Sequence, residues 1–533
     1  MADPVLELYD TTLRDGAQMV GLSLSVEDKL KILHALDALG VPLVEGGWPG
    51  ANPKDTEFFR LAARERLEGA VLTSFGMCRR PGERPEDSAV LRALLDAGTE
   101  VVCLVGKTSS VHVTETLHAA PAEGVAMIAD SVRFLRREGR RVFFDAEHFF
   151  DGFAEDSAYA LACLRAAEEA GAERLVLCDT NGGTLPSEVA RVVASAASDV
   201  ETPLGVHCHD DAGVAVANSL AGVEAGAVHV QGTVNGYGER CGNANLLTIA
   251  ANLELKMGRP VLPPGSLASL TETSHYVAEI ANLPPDAQQP YVGRSAFSHK
   301  AGLHTSALAR RPGAYEHVPP AVVGNQDRMV VSELAGRASL QRKLDELGIA
   351  LGRGEVDAAL DDLKEREHRG YAFEAADASL ELLLRDRAGG RARFFELESF
   401  RVMVEKREEG GTSAEATVKV RAGGRRHIAT AEGAGPVGAL DNAIRLALGG
   451  VFPALDDMTL TDYRVRVLDP EEGTQATVRV LIETSDGRKE WSTVGVSDDI
   501  IEASWNALEE SLTYGLLHPR GAAEDEEPRE ARA

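Results

Sequence analysis

"RLVLCDTNGGTLPSEVARVVASAASDVETPLGVHCHDDAG", residues 174–213, carries the pattern on which the fold turns. An apolar run over 174–180 ends on Asp179 and Thr180, an Asn-Gly-Gly turn follows, residues 186–198 space their apolar side chains as a helix does, and a second apolar run covers 203–209. Short β-type run, helix, short β-type run is a βαβ unit, whose strands lie parallel. The second run ends in His207-Cys208-His209. Residues two apart on a strand share a face, so both imidazoles point to one side and Cys208 to the other, where packing is its expected role. Such a pair is either a metal site or a polar strand end, and only the rest of the chain can discriminate.

The alternation extends in both directions. β-type runs at 5–10, 42–48, 70–76, 100–106, 141–147, 174–180, 203–209 and 228–234 are separated by helical patterns such as 25–40, with Ser25 as its cap candidate and Gly40 as its stop. Eight βα units between residues 5 and 255 predict an α/β protein with a (β/α)8 TIM barrel over residues 1–275, in preference to an open doubly wound sheet. No G-x-G-x-x-G follows the first run, which removes the main support for a dinucleotide fold.

Chemistry in such a barrel belongs at the C-terminal ends of the strands. There the sequence places Arg14 and Asp15, Glu45, Asp145 and Glu147, Asp179, Thr180 and Asn181, His207 and His209, and the loop "NGYGERCGNANL" (235–246). Closure makes strands 7, 8 and 1 neighbours, so Asp15, His207, His209 and an amide of that loop can converge. Mixed nitrogen and oxygen donors with open positions suit a Lewis-acidic Mn, Zn, Fe or Mg ion. "GGTLP" (182–186) lacks the lysine and hydroxyl of a phosphate loop and reads as shaping the rim, and Cys241 has no partner that suggests an activated thiolate.

The bulk properties exclude other classes. With 533 residues, 44% of them hydrophobic, the chain is too long for one ordinary domain. A formal net charge of −28 argues against nucleic-acid or anionic-membrane binding through bulk electrostatics. Six scattered cysteines fit a reducing cytoplasm, and no run approaches a membrane span.

Residues 256–400 show helical pieces with turn signals at 262–265, 282–286 and 310–315, 276–396 reads as a connector that contributes to the active site, and 356–371 reads as an exposed amphipathic helix. Residues 397–518 change to a strand-rich pattern in which 416–448 and 476–512 each give two strands around a turn and then a helix, so a duplicated β-β-α, α+β domain is expected. Residues 519–533 are charged, lack large apolar side chains and read as a disordered tail.

Four motifs then resemble one family. "LYDTTLRDGAQ" (8–18), "HCHDDAGVAVANSLAGVEAGA" (207–227), "NGYGERCGNANL" (235–246) and "FSHKAGLHTSAL" (297–308) are similar, in order, to α-isopropylmalate, homocitrate and citramalate synthases, which condense acetyl-CoA with an α-keto acid. "HKAGLHTSALARRPGAYEHVPPAVVGN" (299–325) and "VVSELAGR" (330–337) look most like the citramalate branch, which uses pyruvate. The resemblance implies a divalent metal (Mn, Mg or Zn) held by Asp15, His207, His209 and Asn243, with Arg14 beside it. It implies Glu147 and Thr180 at the keto-acid site, His304 as the base that takes the acetyl proton, and Tyr315 contributed across a homodimer. It further implies pyruvate and acetyl-CoA as substrates and an allosteric domain with isoleucine as effector. Ser306 stands where isopropylmalate synthases carry an acidic residue, a departure from that branch.

Plainer readings stand beside these. Arg14-Asp15 suits a surface turn, His304 a helix cap, Glu147 a role orienting other groups, and Asn243 the stabilisation of its own loop. An isopropylmalate or homocitrate synthase, a hydroxymethylglutaryl-CoA lyase and a non-catalytic amino-acid sensor are the competing functions.

Overall fold

The computed structural model describes residues 6–299, 307, 310–311, 313–326, 328–329, 337–390, 393–406, 411–469, 473 and 475–519. The chain divides into two units, one of Met1–Phe297 with Glu316–Asp327, the other of Ser298–Tyr315 with Arg328–Ala533.

The first unit is a closed parallel barrel of eight strands: β1 (Glu7–Asp10), β2 (Leu43–Glu45), β3 (Val71–Met77), β4 (Val101–Lys107), β5 (Arg141–Glu147), β6 (Arg174–Asp179), β7 (Leu204–Cys208) and β8 (His229–Gly232). β1 closes the ring on β8, with Glu7 opposite His229 and Asp10 opposite Gly232. The eight β-type runs of the sequence are these eight strands. β2 is shorter than its run because the chain leaves the sheet at Gly46-Gly47, where Gly47 has φ of 149°. The helix Val26–Leu39 starts in a capping box, Ser25 with Asp28, and stops at Gly40, whose φ of 90° a side chain would strain.

Two layers of apolar side chains hold the barrel. Leu33, Leu36, Phe144, Leu175, Val192 and Leu253 are fully buried between strands and helices. Tyr9, Leu43, Phe75, Val101, Cys103 and Phe143 form a separate cluster. Cys208 is buried, in keeping with its packing role, and Cys241 is exposed.

In the second unit, helices Arg337–Glu346, Arg353–His368 and Asp377–Arg387 share a small core of Leu340, Leu344, Val356, Leu363, Leu380 and Leu384. The stretch read as an exposed helix therefore buries one face. Beyond it lie two three-stranded antiparallel sheets, 395–406/412–422/425–433 and 459–467/478–485/490–497, each followed by a helix, Pro436–Leu448 and Ile500–Leu517. Leu440, Ile444, Trp491, Trp505 and Leu512 belong to their common core. The repeat is thus β-β-β-α, one strand longer than the sequence repeat. Each added first strand carries a register shift at a matching place, Leu397/Ser399 and Leu460/Asp462, which breaks the two-residue alternation by which a strand is read. Among the described residues no helix is long and apolar enough to cross a membrane. The tail over 520–533 lies outside the described residues.

Candidate metal centre and active site

The C-terminal rim of the barrel gathers side chains from three neighbouring strands. Asp15 follows β1, His207 lies on β7, His209 sits just beyond β7, and Asn243 comes from the loop after β8. That loop is tied to the end of β7: Asp210 N–H donates to Gly242 O at 2.9 Å, Ala244 N–H donates to Cys208 O at 2.9 Å, and His209 and Asn243 form an isolated bridge. Gly242 makes the turn possible, since with φ of 92° a Cβ there would stand 2.0 Å from Gly236 O.

His207 Nε2 lies 3.4 Å from Asp15 Oδ2 and 3.3 Å from His209 Nε2. Donors about 2.1 Å from one ion stand roughly 3.0–3.4 Å apart in octahedral or tetrahedral geometry, so the spacing fits a shared cation. Asp15, His207 and His209 are all buried, and their donor atoms lie within 4.8 Å of one another. Asn243 donates through Nδ2 to Asp15 Oδ1 and to Tyr237 O, which leaves its buried Oδ1 without a hydrogen-bond partner. His209 Nδ1 is likewise buried and unpartnered. The unpartnered Asn243 Oδ1, on a side chain bonded to Asp15, is a donor that a divalent cation shared with the two facing Nε2 atoms would satisfy. The four residues fit a divalent metal.

Charge at this rim is organised around Arg14. Its Nε donates to Glu45, its Nη1 donates to Asp15 Oδ2 at 2.9 Å, and its guanidinium lies 3.8 Å from the centre of the Phe75 ring. Burial pushes the Asp15 carboxyl up, but Arg14 and His207 outweigh it and hold Asp15 well below the usual carboxylate range. Burial pulls His207 down, but the hydrogen bond and charge of Asp15 leave it raised, whereas burial and the neighbouring His207 push His209 down to about 4. Burial raises Glu45 despite Arg14.

A cavity of about 340 Å³ opens beside the cluster, lined by Arg14, Asp15, Trp48, Phe75, Lys107, Glu147, Thr180, His207 and His209 among others. Glu147 pairs with Lys107 at 2.8 Å, and the Thr180 hydroxyl accepts from His148 N–H at 2.8 Å. Asp179 accepts from the Thr184 N–H and hydroxyl, so the "GGTLP" turn shapes the rim through that carboxylate. Asn181 instead donates to Asp151.

The structure therefore brings together Arg14, Asp15, Glu147, Thr180, His207, His209 and Asn243. Tyr315 belongs to the second unit, 46% exposed, with its ring 6.4 Å from that of His299. His304 lies outside the described residues. Lys107, Trp48 and Phe75 were not singled out from the sequence. Lys107 closes the run "EVVCLVGK" at a strand end, so the rim rule that found Glu147 also reaches it.

Comparison with known proteins covers almost the whole chain. Residues 5–277 match the family model described as HMGL-like, 291–370 that of the homocitrate synthase post-HMGL domain-like family, and 374–516 that of the LeuA allosteric (dimerisation) domain. The chain is 53% identical over 519 residues to an (R)-citramalate synthase of Streptomyces coelicolor, covering 97% of each chain. It is 50% identical over 525 residues to an (R)-citramalate synthase of Synechocystis sp., covering 96% of each. Among solved structures, an HMG-CoA lyase of Bacillus subtilis aligns with 54% of this chain and 97% of its own, at 19% identity and a TM-score of 0.46. With half of its residues identical from the barrel to the last helix, the chain belongs to the citramalate synthase family of acyl-transferring enzymes, within the α-isopropylmalate and homocitrate synthase group.

Proposed function

We propose that this enzyme condenses acetyl-CoA with pyruvate and hydrolyses the resulting thioester, giving citramalate and free CoA. The observation that carries the reading is the placement of Arg14, clamped by Glu45 and Asp15 and packed on Phe75, in the lining of a cavity that also holds the Asp15, His207 and His209 donors, with Asn243 bonded to Asp15 behind them. A divalent metal bound there, Mn or Zn by its imidazole donors or Mg by its oxygens, supplies Lewis-acid polarisation of the keto acid.

The chain's own groups do the rest. Arg14 presents a fixed positive charge where the ketone oxygen becomes negative, and its two carboxylate partners keep it from moving. Thr180 and Glu147 stand on the same cavity wall, where they orient the keto acid. His304 takes a proton from the acetyl methyl group, the assignment its motif implies. The methyl carbon then bonds to the ketone carbon, the ketone oxygen takes up a proton, and water cleaves the C–S bond so that CoA leaves as thiol.

The enzyme is feedback-inhibited by isoleucine and works as a homodimer to which Tyr315 contributes across the interface, as its motifs imply; the match of residues 374–516 to an allosteric (dimerisation) domain supports a regulated, dimeric enzyme. Six cysteines, all without disulfides, support a cytoplasmic enzyme.

Trideuterated acetyl-CoA tests the chemistry. One C–D bond must break before the C–C bond forms, so mass spectrometry should find citramalate with two deuterons retained. Retention of three, or a product other than a C–C condensate, would overturn the mechanism.

A further inference from the structure

The barrel interior beneath the site holds polar groups that neither metal binding nor the condensation uses. Glu7, Arg174, His229, Gln231 and Asp145 come from β1, β6, β8 and β5, and His229 and Gln231 are fully buried. Strand register sets them at matching levels, with Glu7 opposite His229 and Gln231 opposite His207. They are bonded in series. Arg174 Nε lies 2.5 Å from Glu7 Oε1, and His229 Nδ1 lies 3.2 Å from that same oxygen. Gln231 Nε2 lies 3.4 Å from His229 Nε2 and 3.0 Å from Asp145 Oδ1, while Gln231 Oε1 lies 2.8 Å from His207 Nδ1.

The directions of the bonds follow from the groups that can only donate or only accept. A guanidinium only donates and an ionised carboxylate only accepts, so Glu7 accepts from both Arg174 and His229 Nδ1. The Asp145 carboxylate, 3.0 Å from the Gln231 amide, likewise only accepts, and His229 Nε2 lies on the same side of that amide. The Gln231 amide therefore turns its NH2 toward His229 and Asp145. Its oxygen is left facing His207 Nδ1, which carries the proton. The lone pair of His207 Nε2 then points to where Asp15 and His209 converge.

We infer that Gln231 is a positioning residue that fixes the metal-binding tautomer of His207, oriented on one side by Asp145 and on the other by Arg174, Glu7 and His229. The inference rests on the reading of Asp15, His207 and His209 as metal ligands. A His207 with its proton on Nε2 would offer a cation an N–H in place of a lone pair, and groups that orient a ligating histidine commonly change metal affinity by about 10–100-fold.

The test is Mn²⁺ binding to the metal-free full-length protein, read by calorimetry. Gln231→Met keeps the side-chain volume but removes the acceptor, and is expected to weaken Mn²⁺ by about 10–100-fold. The exchange Asp145→Asn with Gln231→Glu restores an acceptor for His207 and a donor beside it, and should recover binding to within a few fold of wild type. Wild-type affinity in Gln231→Met, or no recovery in the double variant, overturns the inference. The wild-type chain gives a second readout that needs no variant. With Zn²⁺ bound, ¹⁵N-histidine spectra should contain a slowly exchanging His207 Nδ1–H, and a proton on Nε2 instead overturns the inference. A wild-type chain that takes up no Mn²⁺ sinks the metal site itself, while the single ring proton of His207, recorded in the metal-free protein at a pH where that ring is neutral, still decides the tautomer.

Discussion

His207 Nε2 faces Asp15 Oδ2 at 3.4 Å, although Asp15 follows the first barrel strand and His207 lies on the seventh. Closure of β1 on β8 is what brings them together, and each contributes a donor that the other cannot replace. Removing either is expected to abolish metal uptake and CoA release together. Asp15→Ala and His207→Ala should both lose stoichiometric Mn²⁺ by elemental analysis, and full metal content in both would contradict the site.

Metal affinity should depend on pH in one direction. Burial opposes a proton on His207, yet Asp15 holds its pKa above the ordinary histidine value, so a cation must displace that proton. His209, pushed down to about 4, is neutral well before then. Mn²⁺ affinity is therefore expected to rise by up to about tenfold per pH unit until His207 has lost its proton, and to level off above that point. Calorimetric titrations from pH 6 to pH 9 check this, and a flat profile would count against it.

Arg14→Lys keeps the charge but not the fork that reaches Glu45 and Asp15 at once. Turnover is expected to fall by roughly 100-fold or more, the scale of losing one oxyanion donor, with Mn²⁺ affinity changed far less. Equal losses in turnover and in metal binding would assign Arg14 to the ligand set's support instead.

Glu7 links the barrel floor to acid stability. Burial raises its carboxyl, but His229 and Arg174 outweigh that and bring it from 4.5 to about 2. A depressed carboxylate pKa contributes stability above the unfolded value and loses it as pH falls through the folded one, here from about 4.5 toward about 2. The shift corresponds to at most about 3 kcal/mol. Glu7→Gln should therefore be less stable than wild type to urea at neutral pH, with the gap closing toward pH 2.5. A gap independent of pH would refute the assignment.

Isoleucine inhibition should reside in the C-terminal sheets. A chain ending at Ala388, after the helix Asp377–Arg387, is expected to keep Mn²⁺ binding and lose inhibition. Unchanged inhibition would place the effector elsewhere.

Most of the barrel was legible because each strand is a short apolar run that alternates with helical spacing, and the first helix is marked at both ends, by Ser25 and Gly40. The rim rule set Asp15, Glu147, Thr180, His207 and His209 at the C-terminal ends of the strands, where the structure has them lining one cavity. Gln231 was not legible. It sits within "VHVQGTV" as a lone amide in an apolar run, and its role depends on His207 and Asp145, which are distant in sequence and adjacent only once the barrel closes. The first strand of each C-terminal repeat escaped for a local reason, the shifts at Leu397/Ser399 and Leu460/Asp462 that disturb alternation.

Release of free CoA thiol from acetyl-CoA with Mn²⁺ or Mg²⁺, compared across pyruvate, 2-oxoisovalerate, 2-oxoglutarate and no keto acid, decides both the reaction and its substrate. Metal-dependent release is expected with pyruvate and little with the others. Preference for a larger keto acid would contradict the citramalate reading while keeping the chemistry, and no release with any of them would contradict the condensation itself.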